Sequence, residues 1–196
     1  MKKIISALLL VCIFALAFAS CEKAPETKAP AFEGTVEDVL SAVVTRACEL
    51  NASREFGMST IECTPTVVDI DGAERILGLT DEEFTNYIDS AIESKPNGSW
   101  YTHSVVVIKL KEGTNVEEVA NKIVANTSPS RFGCLKPHAI VGCFAGDFVI
   151  FVASDDDSCE DVFTAVKELS AIEPVRIDRE NTWTSGGGLM GGGLLG

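Results

Sequence analysis

Cysteine and histidine side chains occur close together in the second half of the chain, at Cys134, His138 and Cys143, with Cys159 further on. These side chains are typical zinc ligands, and a cysteine beside a histidine can act as a nucleophile. Their spacing matches no standard zinc motif, and neither a helix start nor a basic neighbour adjoins Cys143 to lower the pKa of its thiol. We therefore predict no catalytic residue, no metal site and no cofactor. The alternative is an extracytoplasmic metal- or thiol-dependent enzyme that uses Cys134, His138 and Cys143.

A second candidate for chemistry is the acidic run from Asp155 to Asp157, with Glu160 and Asp161 beyond it. Carboxylate oxygens bind calcium, but the run lacks the alternating ligands and central glycine of a calcium loop. Acidic side chains are favoured at a helix N-terminus by the helix dipole. We therefore interpret the run as the start of a helix. The chain also lacks a nucleophile elbow, a phosphate loop and a paired-histidine metal motif.

Cys21 ends an apolar segment near the start of the chain. Two lysines precede the sixteen uncharged residues from Ile4 to Ala19, which would span roughly 24 Å as a helix, short of a bilayer core. The segment is typical of a cleaved export signal. Residues 18 to 21, Phe-Ala-Ser-Cys, resemble the lipobox of bacterial lipoproteins, in which the cysteine thiol receives a diacylglyceryl group and becomes the new N-terminus. The other interpretation is an ordinary secretory signal cut near Ala19, with Cys21 left as a thiol.

The charge of the mature chain bears on what it can bind. Starting at Cys21, it would carry 14 basic and 29 acidic side chains, a formal charge of −15. This excess argues against nucleic acid and against electrostatic adhesion to an anionic membrane. We therefore predict that lipid on Cys21 holds the protein at the cell membrane, facing the outside of the cytoplasmic membrane. Its further partner would be an envelope protein or ligand of unknown identity.

Five cysteines remain after Cys21: Cys48, Cys63, Cys134, Cys143 and Cys159. An exported protein can form disulfides, but an odd number of cysteines cannot pair completely. Most of the five lie in or beside apolar runs, so we predict mostly buried thiols. If one disulfide forms, Cys134 and Cys143 are the favoured pair because the loop between them is short.

Hydrophobic periodicity predicts the order of the elements. Thr35 can cap a first helix, Asn115 a second and Ser154 with Asp155 a third. Residues 61–70 read as an extended segment that Pro65 places near a sheet edge, and residues 72–79 as a helical turn. Residues 80–94 fit either a helix or a strand, with composition favouring a helix. Further strands are predicted around 103–110, 139–144, 148–154 and 174–178, the two middle ones joined as a hairpin.

From residue 103 onward this order matches the split β-α-β pattern of ferredoxin-like folds. We predict an α+β domain with an antiparallel or mixed sheet, helices packed on one face and a possible ferredoxin-like βαββα(β) core. The predicted organisation is a signal peptide over 1–20, a lipidated Cys21 with a Pro/Ala-rich tether over 21–34, a single domain over 35–180 and a Gly-rich disordered tail over 181–196.

Four segments together are similar to a known family. They read ILGLTDEEF, VVVIKL, VEEVANKI and FVIFVASDDDS, and they resemble the domain of unknown function 4358, found in lipoproteins of Firmicutes. The resemblance covers about residues 36–172. It implies an extracytoplasmic α+β domain with a strand over residues 87–94, and it implies no activity. Taken together, these patterns predict a lipid-anchored lipoprotein that acts as a non-enzymatic binding or accessory module in the cell envelope.

Overall fold

The computed structural model describes residues 30–52, 62–97 and 101–179. The signal segment, Cys21, most of the predicted tether and the Gly-rich tail lie outside these residues. The described elements are, in chain order, α1 (Val36–Asn51), β1 (Cys63–Val67), α2 (Ile70–Gly72), α3 (Asp81–Tyr87), β2 (Ile88–Pro96), β3 (Ser104–Leu110), α4 (Val116–Asn126), β4 (Ala139–Ala145), β5 (Phe148–Ser154), α5 (Asp156–Leu169) and β6 (Val175–Asp178). A π-helical turn follows α2 at Ala73–Leu77, and a 3₁₀ turn precedes β4 at Pro129–Phe132.

The three longer helices begin where the sequence predicts. Thr35 caps α1 in a capping box with Asp38, Asn115 accepts a hydrogen bond from the backbone N–H of Glu118, and Asp155 caps α5 by accepting from Ser158. Each cap satisfies backbone N–H groups that have no partner inside the helix. No helix among the described residues has the length and apolar character needed to cross a membrane.

The ambiguous residues 80–94 contain both kinds of element. Thr80 and Glu83 form a capping box that starts α3, and the chain becomes extended at Ile88, where β2 begins. The helix that the composition favours is therefore present only in the first half of this segment, at Asp81–Tyr87. The second half pairs with β1 on one side and β3 on the other, and this pairing outweighs its local helix propensity.

The six strands form one antiparallel sheet in the order β1-β2-β3-β5-β4-β6, which confirms the predicted α+β class. Strand β1 lies at one edge, where Pro65 is tolerated because it has no N–H to donate to a further strand. Strands β4 and β5 form the predicted hairpin, and β6 pairs with β4 at the opposite edge.

Both faces of the sheet are covered. The core on one face joins α1 and α5 to alternate residues of the central strands, including Val105, Val107, Ile150 and Val152. The core on the other face joins α4 and the π-helical turn to the intervening residues, including Val106, Ile108, Val149 and Phe151. Gly142 permits the close approach of α4, because a Cβ atom there would clash with the side chain of Val124.

Two finer predictions about the fold were wrong: the placement of the helices on one face and the ferredoxin-like core. In that core, the last strand would return beside β3, but β2 occupies this position and β6 adds beside β4 instead. The crossovers β3-α4-β4 and β5-α5-β6 each join two parallel strands, and both move across the sheet toward β6. Their first strands, β3 and β5, are antiparallel to each other. Since such crossovers are right-handed, their helices must lie on opposite faces.

The predicted tether ends earlier than residue 34. Ala31 and Phe32 are buried in the core beneath α1 and α5, and the Phe32 and Phe148 rings form a T-shaped pair with 5.3 Å between their centroids. The Ala31 carbonyl also accepts a hydrogen bond from the Ala171 N–H at 2.9 Å. Burial of an aromatic side chain stabilises this attachment, so the packed region includes residues that the sequence composition assigned to the tether.

A buried ion pair holds the 3₁₀ turn against the sheet. Arg131 Nη1 donates to Glu93 Oε1 at 2.8 Å, and Ser104 Oγ donates to the same oxygen at 2.7 Å. The Arg131 side chain is 2% exposed and that of Glu93 is 5% exposed. The guanidinium lies over the rings of Phe132 and Phe151. Burial lowers the pKa of Arg131 to about 10, against the attraction of Glu93.

We expect Arg131→Met to lower the free energy of unfolding by about 3–5 kcal/mol, because it removes the nearer counter-ion of the buried Glu93 carboxylate and leaves only Lys95 Nζ, 4.0 Å away. Adding Glu93→Leu should recover most of this loss, since the buried charge is then removed. Urea denaturation at constant m-value measures both effects. As a control, Lys167→Met breaks the exposed Lys167–Glu173 pair and should cost at most about 1 kcal/mol. An equal cost for Arg131→Met and Lys167→Met would contradict the assignment.

Candidate functional site

A cavity of about 380 Å³ lies between helices α1 and α5 and the ribbon formed by β1 and β2. Its walls are mostly apolar, and a few polar side chains and two thiols interrupt them. The lining consists of Glu37, Leu40, Ser41, Val44, Thr45, Ala47, Cys48, Asn51, Cys63, Pro65, Ile92, Ser94, His103, Val105, Ser158, Asp161 and Val162. This volume and chemistry are typical of sites that bind small molecules.

Asn51 and Asp161 join the two helices that border the cavity. Asn51 ends α1, Asp161 lies in α5, and both are buried. The Asn51 Nδ2 group donates to Asp161 Oδ2 at 2.9 Å, whereas Asn51 Oδ1 is buried and accepts no hydrogen bond from the described residues. An unsatisfied buried acceptor costs free energy, so a donor that reached it would be bound favourably.

His103 lies between the cavity and a neighbouring surface cleft of about 300 Å³, and it lines both. Its Nδ1 is 3.0 Å from Ser154 Oγ, and Ser154 Oγ donates to Asp155 Oδ2 at 3.2 Å. Either His103 Nδ1 or Ser154 Oγ can donate in this contact, depending on the tautomer of the imidazole. These hydrogen bonds run from the histidine to the serine to the carboxylate, whereas in a hydrolase triad the carboxylate contacts and orients the histidine.

The pKa values of His103 and Asp155, the two titratable residues in this series of hydrogen bonds, have different causes. Burial lowers the pKa of His103 to about 4, although the Asp155 carboxylate opposes this shift. Burial also raises the pKa of Asp155, but hydrogen bonds from Ser158 and Ser154 outweigh it and place that pKa below its usual value. At neutral pH the imidazole is therefore uncharged and the carboxylate is charged.

The five cysteines of the described residues are all free thiols, so the favoured Cys134–Cys143 disulfide is absent. Cys143 and Cys159 are buried, and burial raises the pKa of each thiol to about 12. Cys48 and Cys63 are partly buried at the cavity, where burial also raises their pKa values. Cys134 is exposed, so among these five thiols the prediction of burial holds fully for Cys143 and Cys159 and partly for Cys48 and Cys63.

The structure does not bring Cys134, His138 and Cys143 together. Cys134 is exposed in the loop before β4, and His138 is exposed just before that strand. Cys143 is the fifth residue of β4 and faces the core beneath α5, about 16 Å along the chain from His138 at the rise of a strand. A protonated, buried thiol this far from the imidazole has no arrangement for nucleophilic catalysis.

The residues of the acidic run point to different partners. Asp155 caps α5, Glu160 accepts from Arg176, and Asp161 pairs with Asn51. In the part of the chain that the structure describes, no group of three His, Cys, Asp or Glu side chains lies close enough together to hold a metal ion. Asp155 to Asp157 therefore form the N-terminal cap and first turn of α5, as the sequence predicts.

The sequence interpretation did not identify Asn51, His103 or the inward role of Asp161. A signal for two of them was present, because Asn51 lies four residues after Ala47 on the buried stripe of α1, and Asp161 precedes Val162 on that of α5. A polar residue at a buried helical position needs a partner. The partner of each is 110 residues away in the chain, so the sequence could not identify it.

We expect the stability of the protein to depend on His103 between pH 7 and pH 4. The pKa of His103 is about 4 in the folded chain, below its usual value of about 6.5 in an unfolded chain. The unfolded state therefore binds more protons in this window, and stability falls as the pH decreases from about 6.5 to 4. His103→Asn should lessen this fall by on the order of 2–3 kcal/mol. Urea denaturation across this range measures it, and identical pH profiles for the two proteins would contradict the prediction.

No family model, no curated protein and no solved structure matches the chain. The resemblance to the domain of unknown function 4358 therefore stays a prediction, and the function of this chain has to be inferred from the geometry of the cavity and its polar residues.

Proposed function

We propose that the chain is a lipid-anchored extracytoplasmic lipoprotein whose α+β domain binds a small, largely apolar ligand without catalysing a reaction. The observation that carries the proposal is the cavity of about 380 Å³ between α1, α5 and the β1–β2 ribbon. Binding sites of small molecules are concave, mostly apolar and equipped with a few converging polar groups. The cavity meets each of these conditions.

The polar groups of the cavity favour binding over catalysis. Its two thiols have raised pKa values because they are partly buried, and thiolates rather than thiols are nucleophiles. His103 Nδ1 is hydrogen-bonded to a buried serine hydroxyl that is itself bonded to Asp155. These contacts position polar atoms for recognition and activate none of them as a nucleophile.

We expect the neutral fluorophore N-phenyl-1-naphthylamine to bind in the cavity with saturable fluorescence enhancement. Val44→Trp should abolish this binding, because Val44 lines the cavity and the indole would fill it. Ala42→Trp is the matched control, since Ala42 is exposed on the same helix and does not line the cavity. Fluorescence titration measures both, and circular dichroism verifies that the variants are folded. Equal binding by Val44→Trp and Ala42→Trp would refute the site.

The lipid anchor has a separate test. We expect Cys21→Ser to release the protein from membranes, because a formal charge of −15 from Cys21 onward opposes adhesion to anionic lipid and leaves acylation as the attachment. Fractionation after a high-salt wash measures the distribution. Cys134→Ser, which replaces an exposed thiol, is the control and should stay with the membranes. Retention of Cys21→Ser in the membrane fraction would overturn the anchor.

A further inference from the structure

Two cysteines line the cavity from opposite walls. Cys48 lies in the last turn of α1, and Cys63 is the first residue of β1. Both are free thiols and both are partly buried, so a small reagent that enters the cavity can reach them. Two walls that carry one thiol each can be joined by a disulfide, provided that the thiols lie close together.

Both thiols lie at the same end of the cavity. Cys63 pairs with Pro96, the last residue of β2, and β2 runs parallel to β5 because both are antiparallel to β3. Helix α5 follows β5 directly, so it begins at this end of the sheet. Cys48 is one turn before Asn51, which ends α1 and donates to Asp161 in the second turn of α5. The end of α1 and the start of β1 are therefore at one end of the cavity.

The ionisation of the two thiols supports this proximity. Burial is the largest cause of the raised pKa of each thiol, and the charge of Cys48 raises the pKa of Cys63 further. Such repulsion between thiolates weakens with distance, so it indicates a short separation. A raised pKa also means that the surroundings do not stabilise the thiolates, whose stabilisation would make a disulfide easy to reduce.

We propose that Cys48 and Cys63 form a reversible disulfide across this end of the cavity, and that the bond excludes the ligand. A disulfide holds the Cα atoms of its two cysteines within about 7 Å of each other. Strand β1 lies at the edge of the sheet, and the bond would tie it to the end of α1. A ligand could not lie between walls joined in this way. This inference rests on the proposed function and adds its regulation.

The bond forms by thiol–disulfide exchange with a small disulfide oxidant. The thiolate of one cysteine attacks a sulfur of the oxidant, which breaks the S–S bond of the oxidant, forms a mixed disulfide and releases one thiol. The thiolate of the other cysteine then attacks the protein sulfur of the mixed disulfide and releases the second thiol. The protein loses two protons and two electrons in total, and the oxidant takes them up. The raised pKa values of the two thiols make this exchange slow at neutral pH and faster as the pH rises.

Peptide mapping tests the bond in the full chain carrying Cys12→Ser and Cys21→Ser. These changes remove the two cysteines that lie outside the described residues. The protein is incubated at about pH 8 with oxidised glutathione and with reduced glutathione, which reverses mixed disulfides, and the remaining thiols are then blocked. Trypsin cleaves after Arg54, so we expect peptides 47–54 and 55–75 to be joined by the bond and to separate after treatment with dithiothreitol.

Ligand binding tests the consequence of the bond. We expect N-phenyl-1-naphthylamine to bind the reduced protein, to lose its saturable binding after oxidation and to regain it after reduction. Cys48→Ser cannot form the bond and should bind the probe before and after oxidation, and Cys63→Ser should do the same. Cys134→Ser is the matched control, because it removes an exposed thiol but should form the bond and lose binding like the parent protein.

The outcomes separate this inference from the proposed function. Oxidation that gives only mixed disulfides with glutathione, or only bonds between other cysteines, would overturn the inference while the binding site stands. The same conclusion follows if the Cys48–Cys63 bond forms and the probe still binds, or if Cys48→Ser loses binding on oxidation as the parent protein does. If the reduced protein binds no probe, the proposed function itself fails, and this inference fails with it.

Discussion

The central strands β3 and β5 are apolar on both faces, and the rest of the fold depends on this constraint. Residues Val105 to Ile108 are each no more than 1% exposed, and every residue of β5 is buried. A sheet whose centre is apolar on both sides needs a helical layer on each side. Helices α1 and α5 supply one layer, and α4 with the π-helical turn supplies the other. Because both crossovers are right-handed, α4 and α5 lie on opposite faces of the sheet.

The cavity is a consequence of how the first layer is placed. Helices α1 and α5 cover the central strands, while β1 and β2 extend the sheet beyond them. The space between the end of α1 and this ribbon is not filled by the described side chains, and it becomes the cavity. Asn51 and Asp161 meet there because the two helices that carry them pack side by side. The same packing that buries the core therefore leaves a polar pair beside an apolar space.

Much of the secondary structure could be predicted from local patterns. The caps at Thr35 and Asn115 and the turn at Gly146, which has a φ of 60°, depend on neighbouring residues alone. Residues 80–94 show the limit of this approach, because the change from α3 to β2 at Ile88 follows from pairing with strands distant in sequence. The position of β6 was likewise unpredictable, since its competitor for the edge beside β3 is β2, a strand much earlier in the chain.

The amino-acid sequence by itself determined the α+β class, the order of the elements from residue 103 onward and the acidic charge, whereas lipid attachment at Cys21 stays a prediction. These properties follow from periodicity, composition and short motifs, which act over a few residues. Only the tertiary structure decided which polar groups meet. It separated Cys134, His138 and Cys143, and it joined Asn51 to Asp161 across 110 residues. The physical reason is that side-chain partners in a sheet covered on both faces are set by strand order and crossover handedness, which no local pattern contains.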